Sequence, residues 1–532
     1  MSSTNSNDAG QTDSSPANAE ARGWRASLAA FFQARVITML FLGFSAGLPL
    51  LLIFSTLSLW LREADVSRSA VTFFSWAALG YSFKFVWAPL VDVMPLPGLS
   101  RWLGHRRGWL LLAQLMIILA IITMASIDPK MHLTGMALAA VLLGFSSATQ
   151  DIVIDAYRIE SAEPELQALL SATYIAGYRI AMLVAGAGGL KLAAYFGTSQ
   201  EAYVYSAWQQ TYLFMSAVML VGITTTLLIP EPQVKRRQLG FKQASDYLRF
   251  LLLFLFIIIP FAGTFFVSAD GAVWLAGAVH QLTGLGQQFG EFIGGSARFA
   301  VALGVAAVAA RIGVRLGIAP REQLRQTYVE PIADFLQRYG KTAFLILALI
   351  ALYRISDIVL GVIANVFYYD LGFTKDQIAN IIQTFGLLMT LLGGFFGGML
   401  AMRFGVMRIL FVGALLAAAT NLLFAALAFI GPDIKALMLV VAADNLSAGI
   451  ASAAFVAYLS SLTNISFTAV QYALFSSLMT LLPKLLAGYS GSWVDHIGYM
   501  PFFIITTLLG LPVLLLVYLA ARYTKVQHPK TL

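Results

Sequence analysis

Residues 132–158 have the sequence HLTGMALAAVLLGFSSATQDIVIDAYR, an apolar run that ends in three charged side chains. An α-helix needs about 20 apolar residues to cross a bilayer, so the run is long enough to span one. Asp151, Asp155 and Arg158 are spaced i, i+4 and i+7, and a helix places them on one face. Charges inside hydrocarbon are costly and usually face water, another charge or a substrate. The stretch therefore predicts a transmembrane helix that lines a polar cavity.

Similar apolar stretches recur along the whole chain and predict roughly fourteen transmembrane helices. Two of them, 247–267 and 294–314, interrupt a six-plus-six arrangement and are interpreted as an insertion. A re-entrant segment between these two is an open alternative, and residues 323–341 are expected to form an amphipathic cytoplasmic helix. The other expected spans are 36–61, 70–94, 109–127, 132–158, 167–190, 207–229, 342–369, 375–402, 407–430, 435–462, 468–493 and 501–522.

The charges inside these spans are unevenly distributed. With the inserted pair set aside, they fall on spans two, four, five, seven, ten and eleven, whereas spans three, six, nine and twelve have none. This distribution predicts an all-α integral membrane protein with two six-helix halves around a central cavity, as in a transporter. Arg179 and Lys484, in spans five and eleven, each follow a Ser by eight residues and precede a Gly by seven, which favours a duplicated fold. The interior charges are Lys84, Asp151, Asp155, Arg179, Arg354, Asp357, Asp444 and Lys484.

The composition supports a membrane protein and argues against an enzyme. The 532 residues are 59% hydrophobic and 11% charged, and the mean hydropathy is +0.78. There is no cysteine, which excludes disulfides and thiol chemistry. Gly340-Lys341-Thr342 resembles the end of a phosphate-binding loop, but Phe335 stands where its first Gly should be. We expect no metal and no cofactor.

The basic residues predict the orientation of the chain. The net charge of +8 could suggest nucleic acid, but Lys and Arg cluster in short loops of the kind found on the cytoplasmic side. We therefore expect no nucleic-acid partner, a monomer in the bilayer, and both termini in the cytoplasm. The expected parts are a disordered tail (1–34), a first half (35–230), linkers with the inserted helices (231–341), a second half (342–523) and a tail (524–532).

Four carboxylates are candidates for proton coupling, and each has a structural alternative. Asp151 and Asp155 could form a protonatable pair, or Asp155 could pair with Arg158 at a cytoplasmic gate. Asp357 is three residues from Arg354, so the two could form a neutralised ion pair. Asp444 could be a proton entry point or a hydrogen-bonding gate residue. The sequence alone leaves these alternatives open.

The interior cations point to an anionic substrate. Lys84, Arg179 and Lys484 are lone cations at the expected middle of the membrane. Arg cannot lose its proton in a protein, so Arg179 needs a carboxylate or an anionic ligand. Cations outnumber carboxylates near the expected middle of the membrane, which favours a substrate with negative groups.

Several short runs resemble the AmpG muropeptide permeases of the major facilitator superfamily. The resemblance extends over about residues 35–520 and covers both halves. It implies a cytoplasmic gate built from Asp92, Arg106, Arg107 and Arg158. The matching runs are FKFVWAPLVD (83–92), RRGWLL (106–111), QDIVIDA (150–156), GYR (177–179), LYRISD (352–357), GLL (386–388) and AAFVA (453–457).

This resemblance implies proton-driven import of anhydro-muropeptides across the inner membrane of a Gram-negative bacterium, for peptidoglycan recycling and with consequences for β-lactam resistance. The carboxylates of such a substrate would suit the cations, and its sugar rings would suit aromatic and amide groups. The alternative is a major facilitator that transports another anionic solute such as an acyl-CoA. A third interpretation, a membrane-embedded transferase, would need a large loop for its catalytic residues, and no loop of this sequence is long enough. The implied substrate-binding residues are Lys84, Gln150, Tyr178, Arg179, Tyr353, Arg354, Gln383, Asn445 and Lys484.

Overall fold

The protein is a multi-pass helical membrane protein. The computed structural model describes residues 28–66, 81, 84–199, 202–234, 244–284, 287–318, 320–487 and 490–526. Over these residues, 12 helices are long and apolar enough to cross a membrane. They match twelve of the predicted spans, including the inserted pair at Leu248–Val267 and Ile293–Arg315. The remaining two predictions, 70–94 and 468–493, include positions that lie outside the described residues, as do most of the tails 1–34 and 524–532.

The first half contains ten described helices. The predicted first span is interrupted at Phe54, five residues after Pro49, where the backbone leaves the helical region. A 3-10 segment, Lys84–Val86, precedes the helix Ala88–Val93 and contains Lys84, within the described part of the second span. The helices are α1 (Ala34–Ile53), α2 (Ser55–Glu63), α3 (Ala88–Val93), α4 (Leu99–Leu103), α5 (His105–Ala125), α6 (Leu133–Ser161), α7 (Gln167–Leu183), α8 (Gly189–Tyr195), α9 (Tyr205–Val218) and α10 (Leu220–Leu228).

The middle of the chain contributes three apolar helices and a short linker. The stretch left open as a re-entrant segment forms an α-helix, α12, which packs against α13 through Gly290 and Gly294. The predicted amphipathic helix is present as two α-helical pieces joined by a π-helical segment, Arg325–Val329. These helices are α11 (Ala244–Val267), α12 (Ala269–Thr283), α13 (Gln287–Arg315), α14 (Arg321–Leu324) and α15 (Glu330–Tyr339).

The second half contains nine described helices. Its first span is interrupted at Tyr353 and Arg354, where the chain leaves the regular helix for two residues. A π-helical segment, Ala379–Phe385, precedes the next long helix. The helices are α16 (Thr342–Leu352), α17 (Ile355–Asp370), α18 (Lys375–Ile378), α19 (Gly386–Phe404), α20 (Val406–Ile430), α21 (Ile434–Leu462), α22 (Thr468–Ala487), α23 (Ser490–Ile497) and α24 (Tyr499–Val526).

Close backbone contact between α1 and α7 positions the site in the first half. A side chain at Gly177 would collide with the backbone of Leu40, and one at Gly43 would collide with the backbone of Tyr174. Small residues at such a contact allow two membrane helices to approach closely. The contact fixes the part of α7 that carries Tyr178 and Arg179.

The two ends of the bundle differ in charge. We call one end the basic face, because the segments at residues 101–107, 321–341 and 403–408 place nine Lys or Arg residues there. At this face Ala469 and Ala473 of α22 pack into the same apolar cluster as Ala88 and Val91 of α3. The halves therefore contact each other at the basic face.

Candidate functional site

Asp155 lies between two cations in the first half. Its Oδ2 is 3.5 Å from Lys84 Nζ, and its Oδ1 is 3.3 Å from Arg158 Nη2. All three side chains are almost completely buried. The structure thus places Asp155 and Arg158 together, as in the ion-pair alternative, and adds Lys84 from the preceding span.

Asp151 has a different environment although it is one turn away. The Tyr174 hydroxyl donates to Asp151 Oδ1 over 3.4 Å. No Lys or Arg side chain of the described residues lies within 4.0 Å of its carboxylate, and the side chain is buried. Asp151 is therefore the less compensated carboxylate of the predicted pair.

Arg158 connects the halves near the basic face. Its Nη1 donates to Ser171 Oγ over 2.8 Å in the first half and to Ser460 Oγ over 3.0 Å in the second. Its guanidinium lies 5.1 Å from the ring centre of Tyr472, on α22. The residue is 0% exposed. Separation of the halves at this face would break the contacts with Ser460 and Tyr472.

A second buried cluster surrounds Arg106. Its Nη2 is 2.6 Å from Asp92 Oδ1 and 2.5 Å from Glu160 Oε1. Asp92 Oδ2 also accepts from the backbone N–H of Val470, at the start of α22, over 3.4 Å. The sequence prediction missed Glu160, although a carboxylate at the same end of a span as a basic loop was a usable signal. Asp92 joins the halves, and Arg106 and Glu160 hold it in place.

Arg107 links α5 to the last turn of α10 within the first half. Its Nε and Nη2 donate to the carbonyls of Thr226 and Leu227, in the last turn of α10. Glu231 accepts from the backbone N–H groups of Arg106 and Arg107 and so caps the start of α5. The predicted gate role of Arg107 would therefore be indirect.

The second half carries a smaller and more accessible cluster. Arg354 Nη2 is 3.4 Å from Asp357 Oδ2, and the Arg354 side chain is 28% exposed. Arg354 Nη1 also donates to Ser452 Oγ over 3.1 Å. Asp444 accepts from Thr420 Oγ1 over 3.4 Å. The predicted Arg354–Asp357 pair is thus formed, with one guanidinium donor on a side chain of the facing helix α21.

Arg179 has no acidic partner among the described residues. Its side chain is exposed, and it lies near enough to Arg354 for the two guanidinium groups to repel each other. Arg179 belongs to the first half and Arg354 to the second. These two cations of opposite halves, which we call the facing cations, have a single ion-paired carboxylate among the described residues, Asp357.

Three predicted substrate residues are already bonded within the protein. Gln150 accepts from Ser45 Oγ over 2.8 Å and donates to the Ser45 carbonyl over 3.0 Å. Tyr353 donates to the Leu410 carbonyl over 2.9 Å. Asn445 accepts from Thr390 Oγ1 over 2.8 Å. A substrate could use these groups only by replacing those bonds.

The remaining predicted residues are less constrained by the structure. Tyr178 is half-buried beside Tyr174, with ring centres 6.0 Å apart. The side chains of Gln383 and Lys484 lie outside the described residues. Their predicted roles in substrate binding stay predictions.

Comparison with known families and relatives supports the sequence resemblance. A family model described as acetyl-coenzyme A transporter 1 matches residues 35–194. Transporter AmpG 4 of Rickettsia conorii is 30% identical over 92% of this chain and 97% of its own length. The anhydromuropeptide permease of Escherichia coli K12 is 29% identical over 93% of this chain and 82% of its own length.

Solved structures show the same fold. The Escherichia coli fucose:proton symporter FucP superimposes with a TM-score of 0.58 at 11% identity, over 91% of this chain and 97% of that one. The proton:xylose symporter XylE superimposes with a TM-score of 0.54 at 12% identity, over 92% of this chain and 94% of that one. Both comparisons confirm the predicted helical architecture. The chain therefore belongs to the AmpG family of transporters and has the fold of the major facilitator transporters FucP and XylE.

Proposed function

We propose that this protein imports anhydro-muropeptides into the cytoplasm by proton-coupled symport. The observation that carries the proposal is the pair of facing cations, Arg179 and Arg354. Among the described residues only one carboxylate, Asp357, forms an ion pair with either of them. The stem peptide of a muropeptide carries carboxylates that would neutralise this excess charge. The relative from Escherichia coli is named as a permease for this class of molecule.

The charge distribution supports an orientation with the basic face in the cytoplasm. Lys and Arg are enriched in the cytoplasmic loops of bacterial membrane proteins. The halves contact each other at this face through Arg158 with Ser460 and Asp92 with Val470. In this orientation the structure is closed to the cytoplasm, and the substrate enters from the periplasm.

Asp151 is the preferred proton carrier. It is buried on the same helical face as Asp155, but neither Lys84 nor Arg158 lies within 4.0 Å of its carboxylate. A proton on Asp151 would remove a charge that has no ion-pair partner among the described residues and permit the halves to close around the substrate. Asp357 is the second candidate, because a substrate carboxylate at Arg354 would displace it and leave it free to take a proton.

The alternating cycle then follows from these contacts. Substrate carboxylates bind Arg179 and Arg354 from the periplasmic side and draw the halves together there. Closure strains the contacts of Arg158 and Asp92, and their rupture opens the cytoplasmic side. Loss of the proton restores the charge on Asp151 and resets the carrier.

A second candidate function is transport of an acyl-CoA. The match of residues 35–194 to the acetyl-coenzyme A transporter family favours it, and its phosphates would also suit the facing cations. The match covers only part of the first half, whereas the AmpG relatives match both halves. For this reason we prefer the muropeptide.

Uptake into proteoliposomes tests both candidates. Radiolabelled anhydro-muropeptide is supplied outside, with or without an inward proton gradient, and unlabelled acetyl-CoA is added as a competitor. We expect uptake that the gradient stimulates and that acetyl-CoA does not inhibit. Uptake that ignores the gradient would remove the proton roles, and inhibition by acetyl-CoA would favour the second candidate.

A further inference from the structure

The linker helix α15 lies against the loop that closes the basic face. Its Asp334 accepts from Asn464 Nδ2 over 3.0 Å and from Gln471 Nε2 over 2.9 Å. Its Arg338 donates to the Leu462 carbonyl over 3.1 Å and to Gln471 Oε1 over 3.0 Å. The linker helix α15 thus holds the end of α21 and the start of α22 in place, although it lies outside the second half.

Gln471 is the centre of this network. Its Nε2 also donates to the Pro331 carbonyl over 2.7 Å, and its Oε1 also accepts from Asn464 N–H over 2.8 Å. The side chain has four hydrogen bonds and the residue is 1% exposed. The NH2 group and the oxygen of its side-chain amide are both hydrogen-bonded to fixed partners, so Gln471 has one orientation. The backbone that carries Gln471 is held in place with it.

The neighbouring residue, Val470, makes the contact across the halves. Its N–H donates to Asp92 Oδ2 over 3.4 Å. Asp92 is itself held by Arg106, 2.6 Å away. The linker therefore positions the Val470 N–H group, and the buried Arg106 positions its acceptor, Asp92.

Apolar packing strengthens the attachment of α15. Phe335 is buried, and its ring centre lies 5.0 Å from that of Phe475 on α22. The preceding π-helical segment, Arg325–Val329, contacts α3, the helix that carries Asp92. The linker consequently contacts both halves at the place where they meet.

We propose that α15 is a strut that holds the start of α22 against Asp92 and so stabilises the state that is closed at the basic face. Asp334, Arg338 and Gln471 act as positioning residues, since none of them reaches the facing cations of the site. The inserted helices α11 to α13 are covalently joined to this strut, so movement of the insertion would alter the gate. The part that this closed state takes in transport rests on the proposed function.

Cysteine accessibility tests the strut without any substrate. The chain has no cysteine, so a single introduced thiol reports alone. Ala473→Cys lies in the buried contact between the halves at the basic face. Gly361→Cys lies on the same face of α17 as Asp357, at i+4, and is exposed with open space around it. Both reporters are labelled with a water-soluble maleimide on purified protein.

Asp334→Ala is introduced into each reporter. We expect labelling at position 473 to rise about ten-fold, the size expected from loss of a charge-assisted hydrogen bond. Labelling at position 361 should fall, because a state that opens at the basic face is expected to close on the side where position 361 lies. Glu322→Gln is the matched control, an exposed carboxylate on the same linker whose Oε1 accepts from Gln326, and it should change neither rate.

Three results would overturn the proposal. The first is unchanged labelling at position 473. The second is increased labelling at both positions, which indicates general loosening rather than a shift between states. The third is an equal effect of Glu322→Gln. If Asp334→Ala does not fold, Arg338→Gln replaces it, with the same expected directions. Because no uptake is measured, failure of the strut and failure of the transport proposal remain distinguishable.

Discussion

The polar clusters of the two halves differ in compensation and accessibility. In the first half Asp155 contacts Lys84 and Arg158, and all three are buried. In the second half Arg354 contacts one carboxylate, Asp357, and its side chain is 28% exposed. A buried and compensated network is suited to holding a conformation, whereas an accessible pair can exchange its partner for a ligand. The first cluster therefore suits the gate and the second suits substrate binding.

The comparison also separates residues within the first half. Asp151 and Asp155 lie on one face of α6, yet only Asp155 has cations within 4.0 Å among the described residues. Removing the charge of Asp155 leaves Lys84 and Arg158 uncompensated, whereas removing that of Asp151 leaves the neighbouring contacts intact. Chemically identical substitutions should consequently have different effects.

Arg158→Ala should give the largest loss of activity. It removes the contacts with Ser460 and Tyr472 across the halves and leaves Asp155 with one cation. Breaking a buried ion pair costs about 3 kcal/mol, which corresponds to about 100-fold in the population of the closed state. Uptake into proteoliposomes measures the loss. Arg408→Ala, at an exposed arginine of the same face, is the control and should retain parental uptake.

Asp151→Asn should abolish gradient stimulation and retain exchange. The substitution mimics the protonated carboxylate and keeps an acceptor for the Tyr174 hydroxyl. Counterflow of labelled for unlabelled muropeptide, which needs no net proton movement, should persist, while the gradient no longer accelerates uptake. Gradient stimulation that survives in this variant would exclude Asp151 as the carrier and move the role to Asp357.

Asp155→Asn is the matched partner of that experiment. It leaves two buried cations without their shared carboxylate, at a cost of about 3 kcal/mol. We expect a lower thermal unfolding midpoint for Asp155→Asn and a parental one for Asp151→Asn, measured on purified protein. Equal midpoints for the two variants would contradict the distinction between a structural and a functional carboxylate on α6.

The sequence predicts the spans well because hydropathy is a local property. A run of apolar residues predicts a membrane helix without knowledge of its neighbours, and twelve of the predicted spans are confirmed. The cost of burying charge likewise indicates which spans line the polar interior. The Arg354–Asp357 pair was predictable for the same reason, since both residues are on one turn.

Contacts between distant segments were not predictable in this way. One of the two carboxylate partners of Arg106, Glu160, is 54 positions away in the sequence, and no periodicity connects a loop with the end of a later helix. The hydrogen bond of Tyr353 was not predictable from the sequence either. The helix is interrupted at this residue, so a continuous helical stripe does not describe which way its side chain points, and the hydroxyl bonds to Leu410.

Arg179→Gln should weaken substrate binding with little effect on folding. The side chain is exposed and has no acidic partner among the described residues, so its removal leaves no buried charge. Loss of one charge-assisted hydrogen bond to a substrate carboxylate predicts about a ten-fold increase in KM. Lys191→Gln, an exposed cation on the same span, is the control. A parental KM in Arg179→Gln would remove the facing cations from the binding site.

Asp444→Asn should have the smallest effect and decides whether the second half carries a proton. Asp444 accepts a hydrogen bond from Thr420 Oγ1 over 3.4 Å, and an Asn amide oxygen can accept the same bond. If Asp444 is a gate residue, uptake should fall only about two-fold, the effect of a hydrogen bond that is weakened rather than lost, and gradient stimulation should persist. If stimulation is lost here but retained in Asp151→Asn, the proton site belongs to the accessible second-half cluster. The compensated first-half network would then serve the gate alone.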